Sequence, residues 1–243
     1  MRKIFLFTTC LLLVSSLSVN VFSQDQKEEN KENDRPKIKG SGNVVTRDVT
    51  VQAFDQLEAK GVFNVSLIQG SKEAVKIEAE DNLQDLFEIQ NEGSKLIVSM
   101  KKDVRFDSKK RMVVYITFKN IKSLDLKMVG NFTSEGNLSF DDLSLENTSV
   151  GNVELDLHAQ KLDVINKSVG NLKLSGKAEN AVIRNSSVGA IRAGDLMVQT
   201  MDIDNNGIGS AEVNAAKQLI VKDSFLGKVR NVGGADIKKK VVI

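Results

Sequence analysis

Six times in its C-terminal half the chain places an aliphatic residue directly before a glycine: Val129-Gly130, Val150-Gly151, Val169-Gly170, Val188-Gly189, Ile208-Gly209 and Leu226-Gly227. These glycines are separated by 21, 19, 19, 20 and 18 residues. A period this short leaves no room for a strand–helix–strand unit. One copy alone cannot bury an apolar stripe, so the copies must stack. Alignment on the glycine shows what the stack would bury. Six positions earlier stand Leu124, Leu145, Val164, Ile183, Ile203 and Val221; two positions later stand Phe132, Val153, Leu172, Ile191, Ala211 and Val229. Charged and small polar residues fill the places between, and this period-two alternation marks strands with one buried face.

The expected fold is therefore all-β: a parallel β-solenoid of about six coils of 18–21 residues over residues 124–243, preceded by an irregular β-rich segment over 38–123. At about 4.8 Å per coil such a stack is roughly 30 Å long. Four positions before the glycine lies a polar column in phase with the inward residues: Asn147, Asn166, Asn185, Asn205 and then Asp223. Asparagine at a bend satisfies backbone groups that the turn leaves unpaired, and stacked amides can bond to one another. The column reads as a structural ladder; an asparagine-lined ligand groove is the alternative. Asn131, Asn147, Asn166 and Asn185 also open Asn-x-Ser/Thr sequons, matches that the turn composition itself generates.

Arg2 and Lys3, the apolar run Ile4–Val14 and the small polar stretch to Ser23 read as a signal peptide, with cleavage best placed after Ser23. The run is too short for a spanning helix, and no later segment is as apolar. The only cysteine, Cys10, falls inside it, so the mature chain has no thiol chemistry. Cleavage leaves 32 basic against 32 acidic residues, a neutral balance that gives no argument for nucleic acid. Residues 24–37 are charged and nearly devoid of apolar side chains, a disordered polar spacer. Within 38–123, strand-like runs occur at Val49–Val51, Gly61–Ile68, Ala74–Ala79, Lys95–Met100 and Arg111–Phe118. Asp81–Phe87 reads as a helical turn and Lys101–Lys110 as a charged loop.

Several segments together resemble a known family. Gly40-Ser41-Gly42-Asn43-Val44 opens the folded part, Phe54 to Val65 follows and leads to Gln69-Gly70, and Ser-Val-Gly-Asn recurs at 149–152 and 168–171. This combination is similar to the head GIN domain proteins, common in Bacteroidetes-type bacteria and labelled auto-transporter adhesins. The resemblance spans roughly residues 40–237. It implies an all-β, solenoid-like fold and an envelope location, and supplies no catalytic residues. The family's usual repeat reads Ser-Gly-Ala-Gly-Asp/Asn. Here valine replaces the Gly-Ala pair, and the last place drifts from Asn131, Asn152 and Asn171 to Ala190, Ser210 and Lys228.

The residues offer little for catalysis. His158 is the single histidine and has no specified partner, and no nucleotide or phosphate loop is present. Asp202-Ile203-Asp204-Asn205-Asn206-Gly207 opens like a calcium loop, but Val213 stands where the closing glutamate belongs. No metal, no cofactor and no catalytic residue is expected. The leading reading is a non-enzymatic exported envelope protein, in the periplasm or on the outer cell surface, whose stack is a scaffold or adhesin-like surface. Its partner would be an envelope component, glycan or protein. The first rival is a carbohydrate-active enzyme using Glu154 and Asp156 near Lys173 and Arg192. The second is a structural unit that associates end to end through open coil edges.

Overall fold

The computed structural model describes residues 37–239. The expected leader over 1–23, the spacer as far as residue 36, and residues 240–243 lie outside them. The described residues form eighteen strands. Those of the first part are β1 (Lys37–Lys39), β2 (Val44–Val49), β3 (Gln56–Val62), β4 (Asn64–Gln69), β5 (Ala74–Glu80), β6 (Phe87–Glu92), β7 (Lys95–Met100), β8 (Arg105–Asp107) and β9 (Val113–Phe118). The second part continues with β10 (Ser123–Val129), β11 (Phe132–Glu135), β12 (Leu138–Asn147), β13 (Val153–Asn166) and β14 (Leu172–Asn185). It ends with β15 (Ile191–Asn205), β16 (Ala211–Asp223), β17 (Val229–Asn231) and β18 (Ile237–Lys239). Among the described residues the only helical piece is a 3-10 turn over Asp81–Leu86.

The chain divides into two compact units. In the small one, β1 pairs with β8, and Lys37 lies 3.2 Å from the Asp107 carboxylate. In the large one the other sixteen strands form a single sheet. From β12 to β16, successive strands pair in parallel along the register that the glycine spacing implies, with Leu145 beside Val164, Val164 beside Ile183 and Ile183 beside Ile203. Where the spacing stretches to 20, the β14–β15 register slips between Lys173 and Ser175, so the extra residue is absorbed as an irregularity. The inward columns are buried throughout, from Leu57 to Val221 on one wall and from Val65 to Ala211 on another. Each valine, leucine, isoleucine or phenylalanine among them contributes about 1.5–3 kcal/mol when fully buried.

The sheet is mixed and wraps nearly closed, which corrects the expectation of a purely parallel β-solenoid. β2 runs antiparallel to β5, β5 antiparallel to β9, and β6 antiparallel to β7. For β6 and β7 the cause is connection length. Between β6 and β7 lie only Gly93 and Ser94, with Gly93 at φ +60°, and a two-residue turn can join only antiparallel neighbours.

The stack also begins earlier than residue 124. β3 lies in parallel register against β10, with Leu57 beside Leu124 and Val62 beside Val129, and β4 lies against β11, with Val65 beside Phe132. Residues 56–69 are thus another copy, written Leu-x-Ala-Lys-x-Val-x-Asn-Val against Leu-x-Leu-Lys-x-Val-x-Asn-Phe. β7 and β9 lie on its far side, parallel to β3 and β4. Chain order and stacking order therefore differ: β3 sits between β7 and β10.

Candidate functional site

The chain turns a sharp corner once per coil, and the corner carries the repeat's distinctive residues. Inside it, Asn147 Nδ2 donates to Asn166 Oδ1 at 2.9 Å, Asn166 to Asn185 at 2.8 Å, and Asn185 to Asn205 at 2.6 Å. Asn205 Nδ2 then donates to the Gly227 carbonyl at 2.7 Å. All four amides are buried. Asp223 lies in backbone register with Asn205 but stands apart from the amide chain. A carboxylate has no N–H to pass on, and this one faces Lys239 Nζ at 3.0 Å. The lysine's hydrogen bond holds its pKa below the usual aspartate value, against the opposing effect of burial.

The serines two positions further on complete the corner. Ser149, Ser168 and Ser187 are buried, and their hydroxyls donate to the Oδ1 of Asn147, Asn166 and Asn185 at 2.5, 2.9 and 2.8 Å. Sequence reasoning missed this role, although the Asn-x-Ser sequons were its visible signal. At the same position in the next copy stands Gly207, where a Cβ would lie 2.6 Å from Asn185 Nδ2.

The glycines close the corner. Gly130, Gly151, Gly170, Gly189 and Gly209 all have φ between +138° and +143°. A Cβ on Gly170 would lie 2.0 Å from the Gly151 carbonyl oxygen, so any side chain would force neighbouring layers apart. Gly227 lacks that conformation; a Cβ there would meet the Asn205 carbonyl at 2.5 Å. Just after the glycines, Asn131, Asn152 and Asn171, together with Asn64 in the preceding layer, form a second, outer column. Each Oδ1 accepts the backbone N–H at the same position of the next layer, at 2.9–3.1 Å, ending on Ala190.

The residue before each glycine points outward. Val129, Val150, Val169, Val188 and Ile208 are joined in parallel bridges from layer to layer. Val62 extends the row at one end and Leu226 at the other. These seven side chains are 45–59 % exposed, an unbroken aliphatic row along one edge of the stack.

The lateral faces are different. Glu154, Lys173, Arg192, Glu212 and Arg230 stand side by side in register. Lys173 Nζ lies 2.5 Å from Glu154, whose hydrogen bond raises the lysine pKa, and Arg230 pairs with Glu212. Asp156 Oδ1 accepts from Asn137 at 2.8 Å, and Asn137 also contacts exposed His158. An open cleft of about 440 Å³ is lined by Asp141, Asp142, Lys122, Ser144, Lys161 and Asp163, but Lys161 already holds Asp163 at 2.9 Å. Asp204 is likewise taken up by Lys222 at 3.0 Å and by Asn206 at 2.6 Å. Carboxylates engaged in this way make surface ion pairs of about 0–1 kcal/mol. Among the described residues no group of three or more His, Cys, Asp or Glu side chains is arranged to hold a metal ion.

Stacked, laterally paired coils with amides locked inside and one residue type repeated along an outer edge define an all-β repeat scaffold. The chain belongs to the family described as "Putative auto-transporter adhesin, head GIN domain", which matches residues 53–235. Among solved structures it is similar to a "putative adhesin" from Bacteroides fragilis, 28% identical with TM-score 0.72, over 84% of this chain and 100% of that one. A "putative lipid binding protein" from Parabacteroides distasonis shares the fold at 19% identity and TM-score 0.65, over 84% of this chain and 95% of that one. A second Parabacteroides distasonis protein, a "putative adhesin", does so at 19% identity and TM-score 0.62, over 85% and 97%. No curated protein matches the chain.

Proposed function

We propose that the protein is a non-enzymatic, exported envelope protein that uses its coil stack as a rigid scaffold and the Val62–Leu226 edge as its binding surface. The observation that carries this reading is the aliphatic row. A valine before glycine needs only its β-branched backbone preference, which threonine would meet equally well. Seven half-exposed hydrocarbon side chains in one line give the isolated chain little that threonine would not. Exposed apolar surface of this extent marks a site that something covers. The family's adhesin description and the leader-like N-terminus are in keeping with a location in the periplasm or on the outer surface. The lateral carboxylates Glu154, Asp156, Asp163, Asp204 and Glu212, each engaged by a lysine, arginine or asparagine, favour binding over turnover.

The test uses fluorescently labelled protein and isolated cell envelopes. Wild-type protein is retained, and a Glu154→Gln variant on the lateral face is retained equally. Changing Val150, Val169 and Val188 to aspartate reduces retention at least tenfold. Release of reducing ends from a glycan panel, abolished by Glu154→Gln, would instead establish an enzyme.

A further inference from the structure

The edge has a chemistry beyond its apolar row. Seven layers each contribute five consecutive residues to it: 60–64, 127–131, 148–152, 167–171, 186–190, 206–210 and 224–228. The chain has 32 acidic residues and places none of them in this strip, which therefore carries only positive charge. Its cations are Lys60, Lys127, Lys167 and Lys228. Lys127 is held by Asp125 at 2.6 Å, whereas Lys60 and Lys167 are exposed and, among the described residues, take part in no ion pair. Asp223, one position outside the strip, is occupied by Lys239 at 3.0 Å. At the same end Phe225 stands out at 87 % exposure beside Leu226 at 59 %.

We propose that this edge docks lengthwise on an anionic lipid surface, an inference that rests on the edge being the binding surface argued above. The aliphatic row and Phe225 enter the boundary between headgroups and acyl chains, and the flanking lysines meet lipid phosphates. Six spacings of about 4.8 Å give a contact line of about 29 Å, long enough to touch several lipids at once. Buried hydrocarbon and basic residues act together in such binding, since each alone gives only marginal, reversible attachment. Charge decides against a second copy as the occupant: pairing two such edges sets lysines against lysines with no carboxylate between them. The side chains decide against a glycan, because the row is aliphatic except for one terminal ring.

The experiment is co-sedimentation of the protein, as recovered from an exporting host, with vesicles. Vesicles of phosphatidylcholine with one third phosphatidylglycerol are compared with phosphatidylcholine alone. Binding to the anionic vesicles is expected to be at least tenfold tighter and to weaken as salt rises. Val150→Asp, Val169→Asp and Val188→Asp combined should abolish it. A second variant, Lys167→Glu with Lys228→Glu, leaves the hydrocarbon in place and guards against misfolding of the first. It should lower anionic-vesicle binding at least fivefold with an unchanged circular dichroism spectrum. No binding to either vesicle, or binding that both variants retain, overturns the proposal. Envelope retention that survives lipid extraction and is still lost in the valine variant would overturn the lipid assignment while leaving the binding edge intact.

Discussion

At the scale of single residues, the interior of the corner depends on asparagine because it both gives and takes a hydrogen bond. Asn166 accepts from Asn147 at 2.9 Å and from Ser168 at 2.9 Å, and donates to Asn185 at 2.8 Å. Leucine has the same branched outline and does none of this, so Asn166→Leu strands the Asn147 amide N–H and the Ser168 hydroxyl inside the core and leaves the Asn185 carbonyl with Ser187 as its one side-chain donor. A net hydrogen bond is worth about 1 kcal/mol, and a buried group left unpaired costs about 1–3 kcal/mol. Asn166→Leu is expected to destabilise by about 1–3 kcal/mol in urea denaturation. Lys173→Gln, which removes an exposed ion pair with Glu154, should stay within about 0.5 kcal/mol. The opposite ranking would sink the structural role assigned to the amides. This column was legible in the sequence because the asparagines keep one distance from the glycines. Asp223 keeps the same distance, but its different bonding was not legible, because it depends on Lys239 arriving from a later strand.

At the scale of elements, the parallel strands after residue 124 follow from the alternation and the period, whereas the earlier part was only partly readable. Lys95–Met100 is a strand with the bounds the sequence suggests, and the helical turn falls at Asp81–Leu86. The copy formed by β3 and β4 went unrecognised because its corner reads Gly61-Val62 in place of valine then glycine. Its pairing with β10 spans nearly seventy residues, a distance over which local pattern says nothing of partner or direction. Glu80, at the end of β5, shows the same limit. It is a buried carboxylate that accepts from Ser108 Oγ at 2.7 Å, Gly42 N at 2.6 Å and Lys109 N at 3.0 Å, tying two distant segments to the end of β5. The Ser108 hydrogen bond, aided by the two backbone N–H groups and opposed by burial, holds its pKa below the ordinary 4.5. A carboxylate depressed in the folded state adds stability above its unfolded pKa, and that contribution disappears as pH falls through the folded value. Stability should therefore drop on acidification from about pH 5 downward. Glu80→Gln should lower the urea midpoint at pH 7, since an amide N–H would face another donor, and should flatten the loss between pH 5 and pH 3. An acid slope identical to wild type would show that Glu80 is not the group responsible.

At the scale of the whole large unit, what stops the stack from growing matters as much as what builds it. A parallel coil leaves a row of unpaired N–H and C=O groups at its open edge, a template for another chain. On the side of β7 and β9 that row is met by antiparallel strands, β6 on β7 and β5 on β9. On the other side β16, thirteen residues long, is covered only by β17 and β18, three residues each. Among the described residues β17 and β18 have no further strand partner. Short edge strands bearing lysine are a common defence against edge-to-edge pairing. Here the defence is Lys238 and Lys239 on β18, with Lys228 and Arg230 at β17. Ile237 is 43 % exposed on the same strand, so removing the charges beside it would leave a flat apolar edge. Lys238→Val combined with Lys228→Thr spares the Lys239–Asp223 pair, so the last layer keeps its internal ion pair and should still fold. The expected outcome is a wild-type protein whose light-scattering mass stays monomeric at micromolar concentrations, and a variant whose mass rises with concentration as edges pair. Placing lysines at Val44 and Val49 of β2, at the opposite end of the sheet path, should leave the variant's association unchanged if the open β17–β18 edges pair with each other. Suppression of association by those lysines would show head-to-tail growth between the two ends, and a variant that remains monomeric would show that Lys238 and Lys228 are not what protects the edge.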